Sequence, residues 1–327
     1  MSLVVNAGVS YFGKVPSRGD FVRAGDNHQL LGWLDRWAGE SLDLLSQSPD
    51  WKQRYDESPD IQYAFLGSRS KLVLCGHFLA SRDSSERRFP LLSAVRLDAA
   101  EPLRFIGCSP LAMANAWSGL ARLARNACQE EDAGPALAQL ADARFSISTD
   151  PADYSGSFQD FMDGTTLGEL EQRLRDSGHG EVSMQNAFPA LGMLLQPVLG
   201  GGGANVDKAL VFPLVRDPVY RPLVAAFWLE MVSCFVARAD FELAVLIRND
   251  AAPTMVVGFK GADHQALRAA LDPAEAGDFL IRLQHSEWVE DFLQADYNLN
   301  RLDSFLQRDD LALGTARRLF GETFLGT

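Results

Sequence analysis

The chain has 327 residues and a formal charge of 30 − 43 = −13. Apolar residues make up 47% and charged residues 22%, which excludes a disordered chain, a fibrous repeat and a coiled coil. The acidic balance argues against binding duplex nucleic acid, which needs a Lys/Arg surplus, and against docking on an anionic leaflet.

Residues 6–25 read as a glycine-punctuated, charged segment holding Phe12, Gly13, Lys14, Pro16, Arg18, Gly19, Asp20, Phe21 and Arg23. Fixed charges packed among backbone-permissive residues suggest a shaped loop whose polar groups pair internally; a solvated turn is the alternative. In the first reading Asp20 pairs with Arg18 or Lys14. An amphipathic helix is expected from an Asp26 cap, with Leu30, Leu31, Leu34, Trp37, Leu42 and Leu45 on one stripe. Trp33 and Trp37, four apart, resemble an aromatic platform, but that spacing more often marks core. A helical turn carries Trp51 and Tyr55, and Pro59 ends it. Strands are expected at 61–66, 71–80 and 88–97, with short links that favour antiparallel neighbours.

Ser109-Pro110 reads as cap and first residue of a helix running to about 127. A shorter helix covers 134–143, and 149–164 is loop-like. The boundary between two α/β regions, 1–148 and 149–327, is placed there, unless the halves form one continuous unit. Beyond it, helices are expected at 166–176, 182–199 and 223–237, and strands at 210–215, 241–248 and 254–259. Four glycines at 200–203 read as a mobile surface loop, and 263–320 as mostly helical. Phe-Pro-Leu ends a strand in each half, at Phe89 and Phe212, a hint of duplication.

No phosphate-binding loop, zinc-protease helix, nucleophile elbow or calcium loop is present in the sequence. Ser68 and Lys71 match S-x-x-K, which in acyl-transfer enzymes opens a helix so that the two side chains meet; here the segment links two strands. The histidines, His28, His77, His179, His264 and His285, are scattered, with His77 in an apolar strand, so no metal or cofactor is expected. Cys75, Cys108, Cys128 and Cys234 are widely spaced in apolar segments, as in a reduced cytosolic protein. The N-terminus lacks signal-peptide organisation, and the most apolar stretch, 223–237, is too short to span a bilayer.

The run Tyr11-Phe12-Gly13-Lys14-Val15-Pro16-Ser17-Arg18-Gly19-Asp20-Phe21-Val22-Arg23 resembles the N-terminal signature of the TagF (ImpM) family, F-G-K-L-P-x-R-G-D-F-V, with Val15 for Leu. Trp33-Leu34-Asp35-Arg36-Trp37 is similar to the helix that follows in the family, and Arg88-Phe89-Pro90-Leu91 to its later F-P-L. The family's S-x-D-R-x-G-R turn is altered here to Ser81-Arg82-Asp83-Ser84-Ser85-Glu86-Arg87-Arg88.

The resemblance implies a layered α/β fold: a mainly antiparallel sheet flanked by helices, with a helical C-terminal region. It also implies a cytoplasmic, non-enzymatic accessory protein that represses type VI secretion after translation by binding the FHA-domain scaffold. An acyl-transfer hydrolase using Ser68 and Lys71, or a structural subunit of the apparatus, are the alternatives. Motif residues Gly13, Lys14, Pro16, Arg18, Gly19, Asp20, Phe21, Arg23, Arg87 and Arg88 are the candidates for partner binding. Lys14, Arg18, Arg23, Arg82, Arg87 and Arg88 are expected to meet in a basic patch that docks an acidic partner. The alternative is that they pair with Asp83, Glu86 and Asp20.

Overall fold

The computed structural model describes residues 4–25, 27–200, 206–238, 240–293 and 296–326. The segment read as a charged loop opens as a ten-residue strand, β1 (Val4–Gly13), and closes as β2 (Val22–Ala24). Ala7, Val9 and Tyr11 face one core at the two-residue period of a strand; Asn6, Gly8 and Ser10 between them conceal it in the sequence. Asn27 caps α1 (His28–Leu45), its side-chain oxygen accepting from the Leu30 N–H at 3.0 Å. Asp26, the expected cap, lies outside the described residues. After α2 (Trp51–Asp56) come β3 (Ile61–Gly67), β4 (Leu72–Leu79) and β5 (Leu91–Asp98), an antiparallel meander.

Helix α3 (Pro102–Gln129) begins well before the expected Ser109-Pro110 start. Pro110 has no N–H for the Ile106 carbonyl, but the Ser109 hydroxyl donates to that carbonyl at 2.8 Å, so the helix continues through the proline. Next are α4 (Ala133–Asp142), β6 (Arg144–Ser148) and α5 (Ala152–Gly164). Most of the stretch expected as a loop at 149–164 is therefore helix: Asp150 accepts the Ala152 N–H at 2.9 Å, so Asp-Pro here starts a helix.

The chain continues through α6 (Leu167–Asp176), opened by a Thr166–Glu169 capping box, and α7 (Met184–Leu195). Of the four-glycine stretch, residues 201–203 lie outside the described residues. Then follow β7 (Ala209–Pro213), α8 (Arg221–Val236), β8 (Glu242–Arg248), β9 (Thr254–Gly258), α9 (His264–Leu271), β10 (Leu280–Arg282), α10 (Glu290–Leu293), α11 (Tyr297–Leu306) and α12 (Leu313–Phe324).

One ten-stranded sheet runs β10-β7-β9-β8-β3-β4-β5-β1-β2, with β6 also paired to β1. Among the described residues its pairs are antiparallel except β10–β7. The two halves of the chain join where β3 pairs with β8, from Ile61 opposite Arg248 to Gly67 opposite Glu242. On either side of that pair stand the triplets β3-β4-β5 and β8-β9-β7, and α3 packs on α8. The first Phe-Pro-Leu leads into β5 while the second leaves β7, so the repeated tripeptide marks opposite ends of the two strands.

Helices cover both faces of the sheet. Along β3, Ile61, Tyr63 and Phe65 enter the core beneath α1 and α9, and Ala64 and Leu66 enter the larger core beneath α3 and α8. Burial on both faces is why the central strands read as continuous apolar runs. Two aromatic side chains inside pair their polar atoms: Tyr63 donates to the Ser93 carbonyl and the Trp117 indole to the Tyr63 carbonyl, both at 3.1 Å. All four cysteines are unbridged, and burial pushes the Cys108 thiol up to about 12. No helix among the described residues is long and apolar enough to cross a membrane.

Candidate functional site

The loop between β1 and β2 lies against the turn between β4 and β5. Its geometry starts at Gly13, where φ is +149° and a Cβ would stand 1.9 Å from the Pro90 carbonyl oxygen. Only glycine lets the end of β1 press this closely on Phe89-Pro90-Leu91. The chain then buries Lys14, whose Nζ lies 2.9 Å from Asp83 Oδ2 and 4.9 Å from the centre of the Phe21 ring. Phe12 and Phe21 stack at 5.0 Å, with the edge of Phe89 against both.

Asp83 is the hub of this assembly and is 1% exposed. Besides Lys14, it accepts from the amides of Ser85 at 2.9 Å and Arg87 at 3.0 Å and from Arg87 Nε at 2.7 Å. Arg87 also donates to the Gly19 carbonyl at 2.7 Å, and the Ser84 N–H to the Arg18 carbonyl at 2.9 Å. Burial disfavours the charged carboxylate, but the Lys14 ammonium, the two amides and the Arg87 guanidinium outweigh it. They hold the Asp83 carboxyl well below the usual carboxylate range. From the sequence, Asp83 reads as a charge that neutralises arginines. The available signal was its place in the turn before Phe-Pro-Leu.

Asp20 does not have the expected role. It is exposed and pairs with neither proposed partner: Asp83 takes Lys14, and Asp132 takes Arg18 at 2.9 Å. Asp20→Ala is accordingly expected to change stability by less than about 0.5 kcal/mol in a denaturant melt. A loss above about 1 kcal/mol would show that Asp20 braces the loop after all.

The two basic segments do meet, and most of their cations are ion-paired. Carboxylates lie 2.9 Å or closer to five of the six cations: Asp83 for Lys14 and Arg87, Asp132 for Arg18, Glu86 for Arg82 and Asp56 for Arg88. Arg23 is exposed and makes no ion pair with a described residue. The Ser17 hydroxyl accepts the Ala133 N–H at 3.3 Å and so ties the loop to the start of α4. Outward from this frame stand Pro16, Arg18, Gly19, Asp20 and Phe21, the last 47% exposed although it joins the aromatic cluster.

Ser68 and Lys71 lie at the turn between β3 and β4. The Ser68 hydroxyl accepts from the Phe241 N–H at 2.9 Å, while the Ser68 amide donates to the Phe241 carbonyl at 2.8 Å. His77 is buried in β4 with Nε2 3.3 Å from Asp60. Among the described residues no group of three or more His, Cys, Asp or Glu is placed to hold a metal.

No curated protein matches the chain. The crystal structure of PA0076 from Pseudomonas aeruginosa PAO1 is similar at 24% identity and a TM-score of 0.35. That likeness covers 42% of this chain and 64% of the other, so the chain spans less than two thirds of that protein. Residues 10–143 match the family model of the TagF N-terminal domain, described as type VI secretion system-associated. The matched span includes the signature loop, its Asp83 anchor and the α4 end that the loop touches. Residues 10–143 are therefore similar to the TagF N-terminal domain, a family described as type VI secretion system-associated.

Proposed function

We propose that this is a non-catalytic accessory protein that acts in the cytoplasm and holds type VI secretion back by binding the FHA-domain scaffold of the apparatus. The observation that carries the reading is the TagF N-terminal domain match over 10–143. The construction of the signature loop supports binding over catalysis. Its buried charges are engaged in fixing the backbone, and its exposed tip presents Arg18, Asp20 and Phe21 on that rigid base. A preorganised tip loses little entropy on binding. Acyl transfer by Ser68 and Lys71 is less well supported, since their segment joins two strands and does not open a helix.

The reading is tested in cells with an active apparatus by measuring effector release into the medium. Overproduction should lower release and deletion should raise it. Unchanged release in both strains would overturn the repressor reading.

A further inference from the structure

Far from the signature loop, a cleft of about 610 Å³ opens on the face of the sheet that carries α1 and α9. The first turn of α1 leaves the start of β4 and the end of β5 uncovered, so Leu72 is 43% exposed while Leu74 beside it is 8% exposed. One wall is Trp33, packed edge-on against Phe65 at 4.9 Å and stacked on Trp37 at 6.1 Å. The Trp pair thus divides its roles: Trp37 is 3% exposed and belongs to the core, whereas Trp33 borders open space.

The charges around the cleft are not equivalent. Lys260 pairs with Asp207 at 2.5 Å, and Arg96 has Asp98 at 3.7 Å. Glu242 pairs with no cation among the described residues. Its position is built into the backbone: a Cβ at Gly67 would stand 2.6 Å from Glu242 Oε1, so glycine opposite is what leaves room for the carboxylate. Glu242 is exposed at the cleft, and desolvation of its carboxyl, with the nearby Asp240 charge, raises it above its ordinary value.

We propose that this cleft docks a peptide segment of a protein partner in which an apolar side chain neighbours a Lys or Arg. The apolar group covers Trp33, Leu72 and Leu74, and the cation meets Glu242. A peptide suits the site because the one cleft offers apolar surface on Trp33, Phe65, Leu72 and Leu74 together with the unpaired Glu242 carboxylate, seats that a small cation alone would not fill. The inference is independent of which secretion component supplies the segment.

The test titrates the full chain with acetyl-Arg-Leu-Arg-Leu-Arg-amide, its Glu-for-Arg twin and tetramethylammonium, following the indole N–H resonances. The basic peptide should bind saturably and shift the Trp33 signal. Glu242→Gln should weaken it roughly fivefold, and Leu72→Asp, at an exposed position, should weaken it while melting stays unchanged. Equal binding of the acidic twin, no saturable binding of the basic peptide, or no effect of Glu242→Gln would overturn the proposal. So would tetramethylammonium binding as tightly as the peptide.

Discussion

Gly13→Ala is expected to abolish soluble, folded protein. The added methyl would sit 1.9 Å from the Pro90 oxygen and 2.8 Å from the Leu91 Cα, where real contacts never fall below about 3.0 Å. Both are backbone atoms, so no side chain can swing aside. The strand itself must move, although Gly13 pairs with Val22 on one side and its neighbour Phe12 with Leu92 on the other. A φ of +149° adds strain for any residue with a Cβ. Together these place the cost above about 4 kcal/mol, in the range that unfolds a domain. The check is expression and circular dichroism of the variant; a soluble variant melting near wild type would contradict the geometry.

The second large effect belongs to the buried ion pair. Lys14→Met keeps the side-chain stem but leaves Asp83 without its ammonium partner. Losing one member of a buried pair costs about 3–5 kcal/mol. Arg87 and two amides still serve Asp83, so the lower end, about 3 kcal/mol by denaturant melting at neutral pH, is the expected loss. A loss under about 1 kcal/mol would show that the pair adds little.

The pH dependence follows from the depressed Asp83 pKa. A carboxyl lower in the folded state than its unfolded value stabilises the fold above that unfolded value, about 3.9. The contribution is lost as pH falls from about 4 toward the folded value, so acid stability should drop there. Lys14→Met should make that drop shallower.

Much of the fold was legible because burial leaves a periodic trace. The β3–β5 meander and the α1 stripe show it, and they agree with the layered α/β architecture that the family resemblance implies. The signature loop was legible as a motif. What the sequence concealed were partnerships between residues far apart along the chain. Asp20 sits beside Arg18, yet Arg18 reaches Asp132, and Lys14 reaches Asp83. The pairing of β3 with β8 joins segments whose local patterns contain no register information. At Pro110, a single serine hydroxyl replaced the missing amide and reversed a strong start signal.

The proposed function puts the exposed tip of the signature loop against the FHA-domain scaffold. The most direct measurement is calorimetric binding of the purified FHA-domain scaffold to wild type and to an Asp20→Lys, Phe21→Ala double variant. Asp20 is exposed and Phe21 47% exposed while packed on Phe12 and Phe89, so circular dichroism of the variant accompanies the titration to establish that it is folded. Saturable wild-type binding that weakens about tenfold or more in the variant is the expected result. No binding by wild type, or equal binding by a folded variant, would contradict it.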